Sequence, residues 1–292
     1  MVGTGVFTSL GFQLLDIQSA PVIILLWVVG GVLSLCGALC YAELGAALPR
    51  SGGEYNFLGQ IYHPAAGFVS GWVSTTIGFA APTALAAITS ATYLNAVFED
   101  IPVVGAAVAL VLLVGMIHLG SRAGSARFQL LFTGIKVLLI LIFIFAAWWH
   151  VDQLQVLRWV PESADLALVT SGAFAIALIY VNYAYTGWNA ATYLVGEVEG
   201  GARHLPQILL IGSGVVMALY VLLHLMFLSV APMAAVAGKL EVGYVVAGFA
   251  FGDGGSNLVG LMLALLLVST VSAMVIAGPR ALQVIGQDFH AL

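Results

Sequence analysis

The sequence predicts an all-α, polytopic membrane protein, on the evidence of its composition and the length of its apolar runs. Of its 292 residues, 62% are hydrophobic and 7% are charged, whereas an ordinary soluble domain carries about 25% charged residues. A hydrocarbon core about 30 Å thick needs roughly 20 apolar residues for each helical crossing. Runs such as 103–119 and 137–149 are long and unbroken. This composition excludes a soluble enzyme, and the net charge of −5 gives no basic surface for nucleic acid.

The pattern of apolar runs divides the chain into one half-span and seven full spans. Residues 1–11 are apolar but too short to cross a bilayer, and they lack the charged start of a signal peptide. The full spans are predicted at residues 21–48, 66–98, 101–119, 128–149, 166–195, 206–230 and 256–285. Polar or mixed segments connect them, so we expect residues 1–292 to form a single transmembrane domain.

Lysine and arginine positions predict the orientation, because cytoplasmic connections carry an excess of these residues. If the half-span exits outward, the outer connections hold Arg158 and Lys239. The inner connections hold Arg50, Arg122, Arg127, Arg203 and Arg280. Most acidic residues then lie outside. We therefore expect a multi-pass protein of the inner or plasma membrane, with the C-terminal end of this chain in the cytoplasm.

Two Thr-Gly sequences interrupt the helical pattern, Gly3-Thr4-Gly5 at the start and Tyr185-Thr186-Gly187 inside the span 166–195. Paired interruptions in corresponding positions of two halves point to a transporter binding site, although such glycines also allow close helix packing. The odd number of crossings between them inverts one relative to the other, so that helix ends of opposite dipole converge. Amides at one break suit a carboxylate and carbonyls at the other suit an ammonium. The pair fits an amino acid zwitterion, although an uncharged solute could also use such a cavity.

Four sequence motifs resemble the amino acid–polyamine–organocation permeases, and in particular their L-type amino acid transporter branch. Residues 2–7, VGTGVF, resemble the first-helix motif, and 41–45 with 49–55, YAELG and PRSGGEY, resemble the stretch after the second helix. Residues 183–189, YAYTGWN, resemble the sixth-helix break, and 278–280, GPR, the end of the eighth helix.

The resemblance covers essentially the whole chain and implies a transporter fold of inverted five-helix repeats. On this comparison the chain is truncated, running from the second half of helix 1 through helix 8. Residues 1–149 would form the first repeat without the start of helix 1, and 166–285 the first three helices of the second repeat.

The resemblance also implies which residues bind substrate. In such proteins the backbone at Gly3, Thr4 and Gly5 receives the substrate carboxylate. The sixth-helix backbone accepts the amino group, with the aromatic side chain of its first residue as an occluding gate over the substrate. The corresponding residues here are Tyr183, Ala184 and Tyr185, followed by Thr186 and Gly187 in the same break, and Asn189 matches a position near the outer pocket.

Charged residues supply candidates for ion coupling and gating. Lys136 lies inside the span 128–149, where a charge is costly. In some proton-coupled relatives a fifth-helix lysine replaces the sodium ion of sodium-coupled members; alternatively, Lys136 snorkels to the inner interface. Glu43 could pair with Arg50 or Arg203 and close the cytoplasmic side, or it could be a solvated interfacial acid. Segment 197–206 lacks the basic residue and the Asn-Pro that the family carries there, which puts an ion-pair gate through that residue in doubt.

We therefore expect a secondary active transporter that moves amino acids by alternating access, through proton symport or amino acid exchange. The alternative is a non-transporting fragment or an accessory module of a larger permease. An enzyme is not expected, because the sequence contains neither H-E-x-x-H nor G-x-S-x-G.

The expected partners are the amino acid substrate and the lipid bilayer, with no cofactor, metal or nucleic acid. Some L-type exchangers carry an accessory subunit disulfide-bonded outside, between helices three and four. Residues 99–100 contain no cysteine there, so no such subunit is indicated. Cys36 and Cys40 are expected to be small packing residues.

Overall fold

A computed structural model describes residues 2–120, 122–195 and 201–289, and this part of the chain is helical without strands. The α-helices are α1 (Gly5–Asp16), α2 (Ala20–Ala47), α3 (Glu54–Ile61), α4 (Pro64–Val73), α5 (Ala80–Val97), α6 (Val103–His118), α7 (Arg122–His150), α8 (Ser163–Val169), α9 (Gly172–Tyr185), α10 (Gly201–Val230), α11 (Met233–Val236) and α12 (Val242–Asp288). A π-helix, Ser74–Phe79, joins α4 to α5, and a 3-10 helix, Trp188–Tyr193, follows α9.

The described helices confirm a polytopic membrane protein. Five continuous helices are long and apolar enough to cross a bilayer, and a sixth span results if α8 and the segment Gly172–Tyr193, which are bent by 61°, are counted as one. Helix α6 is apolar but has 16 residues, which gives about 24 Å of rise. It is shorter than the full span predicted at 101–119, because Pro102 precedes its first turn.

Two predicted boundaries differ from the observed ones. The segment 231–253, predicted to be a mixed connection, is partly helical, because α12 already begins at Val242 and passes through Gly252 at φ 69° and ψ −170°. Only glycine tolerates this conformation readily, so Gly252 joins two helical segments of different direction. Helix α7 begins at Arg122 rather than at 128, so the connection predicted between the spans 101–119 and 128–149 is mostly helical.

Helix α1 lies in the centre of the bundle although it is too short to cross a membrane. Its side chains Val6, Phe7, Leu10 and Leu14 are buried, and it packs against α9, α11 and α12. Around it, α2 packs along α10 and α5 packs along α12. A short, buried helix whose N-terminus lies inside the bundle brings backbone amides to the protein interior.

Small residues set the closest helix contacts, as is usual in membrane bundles. A Cβ added to Gly67 would lie 2.6 Å from the Tyr55 carbonyl oxygen, and one added to Gly71 would lie 2.7 Å from Ile285. These two glycines therefore permit close packing of neighbouring helices.

Candidate functional site

The first helix break lies at the start of α1. The helix begins at Gly5, and its N-cap residue Thr4 makes no side-chain capping hydrogen bond. The Phe7 amide donates to the Thr4 carbonyl at 2.9 Å. Amides ahead of Phe7 have no partner within the helix, and the positive end of the helix dipole lies there. This end of α1 therefore suits a negatively charged group.

The second helix break follows α9, which ends at Tyr185. The Thr186 amide and hydroxyl both donate to the Tyr183 carbonyl, at 3.1 and 2.6 Å. Gly187 has φ 96°, in the left-handed region that favours glycine, and the 3-10 helix begins at Trp188. The interruption predicted at Thr186-Gly187 is confirmed, and it leaves carbonyl groups at the negative end of α9.

The two breaks touch each other. A Cβ added to Gly5 would lie 2.8 Å from both the Cα and the Cβ of Ala184, a separation that real Cβ atoms essentially never show. The Tyr220 hydroxyl on α10 donates to the Ala184 carbonyl at 3.0 Å and receives a hydrogen bond from the Gly3 backbone. Tyr220 is fully buried. One side chain thus holds both breaks together, as the convergence of opposite helix ends requires.

A cavity of about 510 Å³ opens beside the breaks, between α1, α5 and α9. Thr4 and Tyr183 both line it, and the Tyr183 side chain is 40% exposed. Ala184 and Tyr185 are buried behind the cavity, where the Tyr185 hydroxyl donates to the Trp27 carbonyl at 3.0 Å. Among the predicted residues, Thr4 and Tyr183 therefore face the cavity with their side chains, while Ala184 and Tyr185 contribute backbone and packing.

Lys136 extends from α7 to the first break. Its ammonium donates to the Val2 carbonyl at 2.7 Å and to the Thr270 hydroxyl at 2.9 Å, and the Thr270 hydroxyl donates to the same carbonyl at 3.0 Å. The lysine is 6% exposed. Two oxygen acceptors inside the bundle hold the ammonium, and its role in ion coupling stays a prediction.

The family of the chain follows from comparison with known proteins. The family described as "Amino acid permease" matches residues 1–289. The chain belongs to the amino acid permease family. The b(0,+)-type amino acid transporter 1 of Homo sapiens is 28% identical over 100% of this chain and 61% of its own length. The Asc-type amino acid transporter 1 of Mus musculus is 30% identical over 75% of this chain and 43% of its own length.

A third relative is the large neutral amino acids transporter small subunit 2 of Rattus norvegicus. It is 29% identical over 78% of this chain and 44% of its own length. The permease chain thus spans between 43% and 61% of the length of these relatives. All three are named as transporters, which supports a permease rather than an enzyme.

At the end of the permease where α3 lies, polar contacts join α3 to the segment after the second break. Glu54 accepts hydrogen bonds from the Asn189 amide at 2.7 Å and from the Tyr193 hydroxyl. The Tyr193 hydroxyl also lies 3.2 Å from Ser74. We call Glu54, Asn189 and Tyr193 the α3 latch. Asn189 is thereby placed against Glu54, and its role near the substrate stays a prediction.

A second group of polar contacts lies at the same end, around Asp288. Arg50 and Asp288 form an ion pair at 2.7 Å, and the Tyr55 hydroxyl donates to the other oxygen of Asp288 at 2.6 Å. The hydrogen bond to Asp288 raises the pKa of Arg50. Burial, together with the Asp288 carboxylate, raises the pKa of Tyr55 to about 12.

The structure does not bring the remaining gating candidates together. Glu43 is exposed, and Arg50 pairs with Asp288 rather than with Glu43. Arg203 is exposed in the first turns of α10, and neither it nor Glu43 belongs to an ion pair in the described part of the chain. Glu197 and Glu199 lie outside the described residues. The gating roles of Glu43 and Arg203 stay predictions.

Sequence reasoning missed Tyr220, Glu54 and Asp288. A lone tyrosine in the apolar run 206–230 was the available signal for Tyr220. The sequence carries no signal for Glu54 and Asp288 beyond their charge, because each contacts a partner more than 100 positions away along the chain. Among the described residues, no three His, Cys, Asp or Glu side chains are grouped closely enough to hold a metal ion.

Proposed function

We propose that this chain forms the substrate-binding core of a secondary active transporter that moves amino acids by alternating access. The observation that carries the proposal is the direct contact between the two breaks, Gly5 against Ala184, beside an open cavity. Opposite helix ends at one place supply both a positive and a negative partial charge. An amino acid zwitterion carries the complementary pair.

The proposed binding mode uses backbone groups at both breaks. Amides at Thr4 and Gly5 bind the substrate carboxylate, as helix N-termini bind anions, while the predicted Gly3 amide donates to Tyr220 and holds the break in position. The carbonyls at the end of α9 accept from the ammonium, because a carbonyl that already accepts one hydrogen bond has a second lone pair. Tyr183 closes over the bound substrate from the side of the cavity. Gly187 supplies the left-handed turn after which the chain changes direction, so that the following residues do not cover the carbonyls at the end of α9.

Alternating access requires that one end open when the other closes. We propose that residues 1–149 are the first inverted repeat, without the start of helix 1, and that 166–285 belong to the second. The cavity then faces the outside and the α3 latch faces the cytoplasm, with the C-terminal end of this chain. Release to the cytoplasm requires the Arg50–Asp288 ion pair and the Glu54 hydrogen bonds to break.

Two coupling modes agree with the position of Lys136. In proton symport, loss of a proton from the ammonium would free the Val2 carbonyl and loosen the first break. In obligatory exchange, Lys136 stays protonated and keeps both hydrogen bonds throughout the cycle. Binding of an internal amino acid then drives the return of the site to the outward-facing state. Both modes place Lys136 in the conformational cycle rather than on the substrate.

Uptake of radiolabelled amino acids into proteoliposomes tests the proposal. We expect saturable uptake that either responds to an imposed pH gradient or requires internal amino acid. Replacing Lys136 by Met should lower substrate affinity by about tenfold or more, because hydrogen bonds from charged groups contribute roughly 1.5–3 kcal/mol. The exposed Lys239 replaced by Met is the matched control.

The outcomes of these uptake measurements distinguish symport, exchange and a non-transporting module. Uptake that ignores the gradient but needs internal amino acid would overturn symport, and the reverse would overturn exchange. Binding without uptake in either condition would favour the alternative, a non-transporting module of a larger permease. Wild-type affinity in the Lys136→Met protein would show that Lys136 has no part in the cycle.

We also propose that the chain acts without a disulfide-linked partner. The rat relative is named a small subunit, which describes that protein. Here Cys36 and Cys40 both lie within α2 and outside the α5–α6 connection. Both are exposed, so the expectation that they pack between helices was wrong. Non-reducing electrophoresis of the chain from its native membrane should give a single band at its own mass.

A further inference from the structure

The cavity that opens beside the two breaks has one formally charged side chain among its described lining residues, Glu241. Hydroxyl and aromatic groups make up much of the rest, including Thr8 and Thr92 and the stacked rings of Phe12 and Tyr180, whose centroids lie 5.6 Å apart. No lysine, arginine or histidine lines the described cavity. The cavity is therefore electronegative at the position of Glu241.

The Glu241 carboxylate has no cationic partner among the described residues. Within the described part of the chain it forms no ion pair and no side-chain hydrogen bond, and as the N-cap residue of α12 it makes no side-chain capping bond. Lys239 lies two residues away in an exposed position but forms no ion pair with it. A carboxylate that neither caps a helix nor pairs with a cation is free to bind a ligand.

Tyr93 on α5 supplies a second, independent sign of a ligand. Its side chain is 1% exposed and lines the cavity, yet its hydroxyl has no hydrogen-bond partner in the described structure. Glu241 is close enough to act on this hydroxyl electrostatically. Buried hydroxyls in folded proteins are nearly always hydrogen-bonded, so an unpartnered one that lines a cavity together with a free carboxylate suits a ligand that donates to both groups.

The position of Glu241 beside α1 sets the length that such a ligand needs. Gly238 donates to the Gly11 carbonyl at 2.7 Å, and the Lys239 carbonyl packs on Gly11. The segment that carries Glu241 is thus level with Gly11, seven residues from Thr4, which is about 10 Å of helical rise. A ligand that reaches both the breaks and Glu241 needs a long side chain with a positive end.

We propose that Glu241 and Tyr93 form a subsite for the cationic side chain of a dibasic amino acid, such as lysine, ornithine or arginine. This inference rests on the proposed function, because it assumes that the amino and carboxylate groups of the substrate bind at the breaks. The ammonium or guanidinium donates to the Glu241 carboxylate, and the Tyr93 oxygen accepts from the same cation. A large apolar side chain would leave both groups without a partner, so the subsite also discriminates against it.

Competition uptake in proteoliposomes tests this subsite, with radiolabelled arginine and leucine measured in parallel. Replacing Glu241 by Gln should raise the KM for arginine by about tenfold or more, as expected for the loss of one charge-assisted hydrogen bond. The KM for leucine should not rise, because leucine gains nothing from the carboxylate. Tyr93→Phe should raise the KM for arginine by a smaller factor, again without raising that for leucine. Because Glu241 makes no capping bond, its replacement should not prevent folding.

Asp253→Asn is the matched control, because Asp253 is an exposed acid on α12 outside the described cavity lining. A parallel loss for arginine and leucine in Glu241→Gln, or an unchanged preference between them, would overturn the subsite while leaving the proposed function in place. If Asp253→Asn raised the KM for arginine as much as Glu241→Gln does, the effect would come from the overall surface charge. That result would also overturn the subsite. Failure of the wild-type chain to bind or transport any amino acid would overturn the proposed function, and the subsite with it.

Discussion

The two breaks contact each other at Gly5, and its missing side chain makes the contact possible. A methyl group there would lie 2.8 Å from the backbone of Ala184, which cannot move as a flexible side chain can. The gap between α1 and α9 would have to widen. In the proposed binding mode the amides of the first break and the carbonyls of the second act together, so a wider gap would separate the two partial charges proposed to bind the zwitterion.

Replacing Gly5 by Ala should therefore abolish amino acid binding and lower stability by about 1–3 kcal/mol, the usual cost of overpacking. Equilibrium binding of radiolabelled substrate and thermal unfolding in detergent measure the two effects. Gly115→Ala is the control, since a Cβ at Gly115 would meet no atom within 4 Å. Normal binding by the Gly5→Ala protein would mean that the site lies elsewhere.

At the scale of elements, the short helix α3 connects the first half of the chain to the segment after the second break. Glu54 stands at the first position of α3 and holds both Asn189 and Tyr193. The 3-10 helix that carries these two residues directly follows the break at Gly187. We therefore expect a movement at the second break to reach α3 through Glu54.

Replacing Glu54 by Gln should open the α3 end, because a neutral amide cannot accept both hydrogen bonds as strongly as a carboxylate. We expect the opening equilibrium to rise by about tenfold, given roughly 1.5–3 kcal/mol for a hydrogen bond to a charged group. A cysteine at buried Ala42, with Cys36 and Cys40 replaced by Ser, reports this opening through its rate of maleimide labelling.

Glu43→Gln serves as the control for that experiment, since Glu43 is exposed and belongs to no described ion pair. It should leave the labelling rate at the level of the parent protein. If Glu43→Gln opened the α3 end and Glu54→Gln did not, the gating acid would be Glu43 and the latch would be misassigned.

At the scale of the whole molecule, the sequence predicts the helical class, most spans and both breaks. Composition and run length determine the spans, and glycine beside threonine within an apolar run marks the breaks at Gly5 and Gly187. These are local signals, which a single sequence carries. The bend of 61° between α8 and α9 escaped prediction, because Thr170 and Ser171 are common enough in membrane helices to give no warning.

The contacts that close the site could not be predicted from the sequence. Tyr220 on α10 forms hydrogen bonds with both breaks, and Arg50 forms an ion pair with Asp288 rather than with Glu43. Such pairings depend on how α2, α3, α10 and α12 are arranged in space. The residue type shows only that an arginine pairs with some carboxylate. The packing of the helices decides which carboxylate that is.

The central claim is that backbone groups at the two breaks bind one amino acid together, and hydrogen–deuterium exchange measures those groups directly. With saturating substrate identified by uptake, amide exchange should slow at residues 3–6 and at 184–187 in the same sample. Gly5→Ala protein, which is expected not to bind, should show no such protection. Substrate that binds the wild-type chain without slowing exchange at either break, or at only one of them, would contradict the account.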